Sequence, residues 1–131
     1  MSDDRNEFEN YYLRFKQSLE VLAASPEEAC ELLGHYNVAF ETKSDLGYGV
    51  NLFSLSSCPF TSEQRQNIVV LLEALETLPD SVLGFTDVPS ESLERMKHPA
   101  WVPLRDAAAR LLVELQPVSS ANERYFGKGA A

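Results

Sequence analysis

A chain of 131 residues with 44% hydrophobic residues is long enough to bury a core and too apolar overall to remain unfolded. Its 20 acidic residues against 11 basic ones leave a net charge of −9, which opposes approach to nucleic-acid phosphate and to anionic lipid and excludes both as expected partners. The longest aliphatic run, Ile68 to Leu72, falls far short of a membrane span, and the acidic stretch Met1 to Asn10 lacks the basic and apolar pattern of a secretion signal, so the expected location is the cytoplasm.

From Asp4 to Ala24, the residues Phe8, Tyr12, Phe15, Leu19 and Leu22 recur at steps of four, three, four and three, the apolar stripe of an amphipathic helix. Asp3, Asp4, Glu7 and Glu9 crowd its start, where the helix dipole favours negative charge. Ser25-Pro26-Glu27-Glu28 then opens a second helix, with Ser25 as cap, Pro26 in the first turn and Glu28 placed for a capping box. Ala29, Leu32, Leu33, Tyr36 and Phe40 continue one apolar arc, so this helix is expected to run through Gly34 towards Asp45; Gly34 alternatively terminates a shorter one.

Residues 46–60 read as an irregular apolar connection. Gly47, Gly49, three serines and Cys58-Pro59 break any period, while Val50, Leu52, Phe53 and Leu55 are too apolar for a solvated loop, and a short strand is also compatible. Thr61 or Ser62 caps the next helix, striped by Ile68, Leu71, Leu72, Leu75 and Leu78 and ended by Pro79-Asp80. Val82, Leu83 and Phe85 form a short apolar linker, and Val88-Pro89-Ser90 starts a brief helix to about Lys97. A last helix begins near Pro103, carries Leu104, Ala108, Leu111, Leu112 and Leu115, and stops at Pro117. The expected architecture is an all-α, single-domain bundle of about five mostly antiparallel helices over residues 1–117, with 118–131 as a C-terminal extension whose end is mobile. Phe15, Leu19, Leu33, Tyr36, Phe40, Leu71, Leu75, Leu111 and Leu112 are its expected core. Trp101 is expected to close that core between the last two helices rather than to serve as a surface anchor.

The sequence offers little chemistry. Gly47-Tyr48-Gly49 lacks the further glycine and the lysine of a phosphate loop, and no G-x-S-x-G elbow occurs. Cys30, Cys58, His35 and His98 show no metal-ligand spacing, and the two cysteines are expected as free, packed thiols; no metal and no cofactor are expected. The densest polar cluster is Glu31, His35, Asn37, Glu41, Lys43 and Asp45, with Asn37, Glu41 and Asp45 at successive i, i+4 steps if the long helix holds. Two carboxylates beside an amide and a histidine could act as acid and base or hold a divalent ion. A solvated or protein-binding face needs fewer assumptions. Residues 1–60 hold ten acids and four bases, net −6, and residues 61–131 ten acids and seven bases, net −3, so a basic partner would be steered to the first half.

Across residues 8–115 the chain resembles small helical hypothetical proteins of Gram-negative bacteria, through Gly34-His35-Tyr36-Asn37-Val38-Ala39-Phe40-Glu41 with Asp45-Leu46 and through His98-Pro99-Ala100-Trp101. In size, acidity and lack of motifs it also resembles immunity proteins that neutralise interbacterial toxins, which implies a non-enzymatic binding protein that occludes a toxin domain with a basic surface. The expected partner-binding residues are Glu31, His35, Asn37, Glu41, Asp45 and Tyr48. The alternatives are an adaptor or regulatory subunit, or a small enzyme or ligand-binding protein built on His35, Asn37, Glu41 and Asp45.

Overall fold

The expected stripe on the first helix is buried against most of the elements that follow it. The computed structural model describes residues 2–127, and over these the chain is all-helical, with eight α-helices and one 3-10 segment rather than the five helices expected. In α1 (Ser2–Ala23), Phe8, Tyr12, Phe15, Leu19 and Leu22 are buried as their spacing requires. Their main partner is α7 (Trp101–Glu114), which contributes Trp101, Leu104, Ala108 and Leu111. Trp101 is fully buried and closes the core. On α7 in turn packs α4 (Ser62–Leu75), whose Ile68, Leu71 and Leu75 are buried. It starts with a complete capping box: the Gln64 N–H donates to Thr61 Oγ1 (3.0 Å) and the Thr61 N–H donates to Gln64 Oε1 (2.8 Å).

The second helix is shorter than expected. α2 (Pro26–Leu33) opens with the expected Ser25 cap, the Glu28 N–H on Ser25 Oγ at 3.1 Å. The Glu28 carboxylate meets the Ser25 hydroxyl and not its N–H, so the expected capping box is not completed, and Gly34 at φ +82° closes the helix in the left-handed region. His35 (φ +71°) and Asn37 (φ +53°) are also left-handed, and a separate α3 (Val38–Gly47) follows. This break resets the helical phase. Val38, Ala39, Thr42 and Leu46 face inward, while Tyr36 and Phe40, expected in the core, are 54% and 49% exposed. Of the remaining expected core residues, Phe15, Leu19, Leu71, Leu75 and Leu111 are buried, and Leu33 and Leu112 are half-buried.

The connection at 46–60 is more regular than its composition suggests. α3 continues to Gly47 and passes into a 3-10 segment, Tyr48–Ser54, and among the described residues no strand occurs. The expected apolar linker contains a one-turn α5 (Asp80–Leu83), and α6 spans Pro89–Met96. Arg105 ties two helix ends together: its Nε donates to Ala24 O and its Nη2 to Met96 O, both at 3.0 Å.

Pro117 does not end the helical part of the chain. It falls in the first turn of α8 (Gln116–Gly127), where its missing N–H costs no helical bond. This helix docks on α1 through a polar seam, so most of the expected extension is part of the packed structure. Asn122 Nδ2 donates to both Glu9 O and Glu9 Oε1 at 2.8 Å, Arg5 Nε lies 2.5 Å from Glu9 Oε2, and the Tyr12 and Ser119 hydroxyls meet at 2.7 Å. Tyr125 donates to Asn6 Oδ1 at 2.7 Å, and the Arg5 guanidinium lies over the Tyr125 ring. The expected mobile end, residues 128–131, lies outside the described residues. Among those described, no helix is long and apolar enough to cross a membrane.

Candidate functional site: an acidic groove beside the first helix

α1 carries a second stripe, one residue behind the buried one. Glu7, Tyr11, Arg14, Ser18 and Val21 repeat the steps four, three, four and three, and all five line an open groove of about 1090 Å³. Glu7, Tyr11 and Arg14 of this stripe are exposed, Ser18 is half-buried, and Val21 closes into the core. The opposite wall comes from Leu32 and Leu33 at the end of α2, Thr42 and Asp45 on α3, and Tyr48, Gly49, Asn51 and Ser54 of the 3-10 segment. Thr42 and Asp45 are one turn apart and so share a face; the Thr42 hydroxyl is held back by its bond to Val38 O (2.8 Å).

Local chemistry fixes these walls. Gly49 is buried hard against the Phe15 ring, and a Cβ there would lie 2.4 Å from Phe15 Cε1, so only glycine lets the 3-10 segment approach α1 this closely. Beyond Leu55, Asp4 Oδ2 accepts the Ser57 N–H at 2.6 Å and the Ser56 hydroxyl at 2.7 Å. Hydrogen bonding from the Ser56 hydroxyl first, then from the Ser57 side chain and backbone, pulls the Asp4 carboxyl below its ordinary pKa, and these bonds anchor the chain that follows Leu55.

The exposed groups of the groove are of two kinds. Tyr11, Leu32 and Tyr48 present apolar or aromatic area, at 45%, 62% and 68% exposure. The charged ones are three acids, Glu7, Glu20 and Asp45, against one base, Arg14. Glu20 pairs with Lys16 at 3.8 Å, whereas neither Glu7 nor Asp45 forms an ion pair among the described residues. Asp45 is an exposed residue, yet protein packed beside its carboxyl removes enough water to raise its pKa. Such a carboxylate gains more from an arriving cation than a fully hydrated one.

Of the six residues expected to bind a partner, the structure brings Asp45 and Tyr48 to this groove. Glu31 and Glu41 are exposed but lie outside its lining, and His35 and Asn37 sit in the break before α3, where the Asn37 N–H donates to Thr86 O at 3.0 Å. The acid, amide and histidine thus do not converge on one cavity. Among the described residues no three His, Cys, Asp or Glu side chains gather as a metal-binding set. Cys30 is buried, Cys58 half-buried, and both are free. Sequence reading missed the α1 side of the groove, although the 7-11-14-18-21 spacing was available as a signal: a mixed polar and aromatic row beside a complete apolar stripe.

A second exposed apolar group lies elsewhere. The Asn37–Thr86 bond joins the two segments that carry exposed Tyr36 and Phe85, with exposed Phe40 and Val88 close by in the chain, and none of the four lines the groove. A smaller hollow of about 280 Å³ between α3 and α4 is bordered by the Lys43–Glu76 pair (3.4 Å). Comparison with protein-family models, characterised proteins and solved structures finds no match to this chain.

Proposed function

We propose that this chain is a non-enzymatic binding protein of the bacterial cytoplasm that neutralises a toxin by covering a basic surface of it. The observation that carries the reading is the groove itself, which places exposed Tyr11, Leu32 and Tyr48 among Glu7, Glu20 and Asp45. Aromatic and aliphatic anchors supply desolvated contact area, while carboxylates steer a cationic partner and disfavour anionic ones. The net charge of −9 works in the same direction at long range. An adaptor without a toxin would use the same surface, and the two roles differ in what binding prevents.

The test is co-expression. The product of the adjacent gene in the source genome is expressed in a heterologous host, alone and with this protein. Growth arrest relieved by the wild-type chain, and relieved less by Asp45→Lys with Tyr48→Ala, is the expected result. An adjacent product that is harmless, or a toxicity that this chain leaves untouched, would sink the proposal.

A further inference from the structure

We infer that the occupant of the groove is a single amphipathic, cationic α-helix presented by the partner; this inference rests on the binding reading above and names what is bound. The face of α1 that lines the groove is exposed at Glu7, Tyr11 and Arg14 and closes into the core at Val21. Glu7, Tyr11, Arg14, Ser18 and Val21 recur at steps of four and three, so they share one face of α1 along the groove. From Glu7 to Val21 the stripe runs about 21 Å at 1.5 Å per residue, roughly four turns. A helix of about 15 residues matches that length, and its apolar side chains can enter a groove flanked on both sides.

Size and charge narrow the choice further. A volume of about 1090 Å³ lies above the ~300–1,000 Å³ usual for small-molecule pockets. Exposed Tyr11, Leu32 and Tyr48 in the lining offer contact points for the apolar face of an incoming helix. Glu7 and Asp45, unpaired among the described residues, stand on opposite walls, so a helix between them would meet a carboxylate on either flank. That is the complement of an apolar face bordered by lysine or arginine. A second copy of this chain is a poor fit, because two molecules of net charge −9 repel and the incoming face must be basic.

The experiment uses the full-length protein and a dye-labelled 15-residue peptide of lysine and leucine, with leucines at i, i+4, i+7 and i+11. A scrambled isomer of identical composition serves as the comparison, and fluorescence anisotropy reads binding at 0.15 M salt. The expected result is 1:1 binding of the patterned peptide, at least tenfold tighter than the isomer, with helical circular dichroism gained on binding. Leu32→Asp, at an exposed position where the fold is not at stake, should weaken it at least tenfold, and Asp45→Lys should weaken it less. Phe85→Asp should leave it unchanged. Equal affinity for patterned and scrambled peptides would overturn the inference, since charge alone would then suffice, while leaving the toxin reading to its growth assay. Sensitivity to Phe85→Asp in place of Leu32→Asp would also overturn it and move the docking surface to the Tyr36–Phe85 patch.

Discussion

Along α1, the flank facing α8 and the flank facing the groove draw on the same residue types, acids, a base and tyrosines, to opposite ends. On the α8 side every polar group named has found its partner: Glu9 receives Arg5 and Asn122, Tyr12 meets Ser119, and Tyr125 donates to Asn6. On the groove side Glu7 and Asp45 are unpaired among the described residues, and Tyr11 and Tyr48 are open to solvent. The lesson is that residue type says little about role; a tyrosine or glutamate stabilises the fold where a donor or acceptor is positioned within 3 Å and is available for recognition where none is. Substitutions on the first flank should therefore cost stability and leave binding alone, and substitutions on the second should do the reverse.

The harshest probe of that contrast is Asn122→Leu. It removes two bonds to Glu9 and leaves a buried carboxylate with Arg5 alone, an expected loss of about 3 kcal/mol. Urea unfolding followed through Trp101, the only tryptophan and fully buried, measures it. A loss under about half a kcal/mol would mean that the seam is no tighter than an ordinary surface. Next comes Gly49→Ala, expected to cost about 1–3 kcal/mol because the added methyl collides with the Phe15 ring. Gly49 lines the groove yet belongs to the packed layer beneath it, so an unchanged urea midpoint would show that this layer yields as readily as the mouth.

Tyr12→Phe should cost about 1 kcal/mol through the lost bond to Ser119, and it carries a pH signature. Burial pushes the Tyr12 hydroxyl up to about 12, above the ordinary value of 10.0. The stability this adds is fully present below pH 10, where both states hold the proton, and is lost as pH rises towards 12 because the unfolded chain ionises first. The stability of Tyr12→Phe should therefore fall less steeply than wild type between pH 10 and 12. An identical slope would mean that Tyr12 ionises as freely in the fold as in the open chain.

The smallest stability effects belong to the groove. Glu7→Lys with Asp45→Lys should change unfolding free energy by less than about 0.5 kcal/mol while abolishing the preference for a cationic peptide. Because the Asp45 pKa is raised by burial, its neutral form is the one favoured by folding, and that contribution to stability is lost as pH rises through the folded value. Binding of a cation needs the charged form, so affinity should fall as pH is lowered through the same range. Asp45→Asn should flatten this fall, and a pH profile untouched by the substitution would remove Asp45 from the interface.

Much of this contrast was out of reach of the sequence, for identifiable reasons. The buried α1 stripe, the Ser25 and Thr61 caps and the stripe of α4 are local signals, and each formed where its spacing placed it. In the sequence the break at Gly34 competes with a continuous helix, because Leu33, Tyr36 and Phe40 fit one helical arc. A left-handed glycine costs little, and the competing row Val38, Ala39, Thr42 and Leu46 buries as well with a threonine bonded to its own helix. Tyr36 and Phe40 were exposed by that change of phase. Asp45 and Tyr48 reached the groove while Glu31, His35, Asn37 and Glu41 did not, since the break separates residues that a continuous helix would have aligned. The α8 seam joins residues more than 100 positions apart, a range over which periodicity carries no information.

That separation also has a consequence in time. Tyr12 and Ser119 are 107 residues apart, so at 5–20 residues per second the ribosome adds the second on the order of 5–20 s after the first. For most of that interval α1 has neither α7 nor α8 to lie against, and Phe8, Tyr12, Phe15 and Leu19 have nothing but nascent neighbours to shield them. The four acidic residues at its start, Asp3, Asp4, Glu7 and Glu9, then keep a half-made chain apart from other half-made chains by charge, before one of them, Glu9, is taken into the seam.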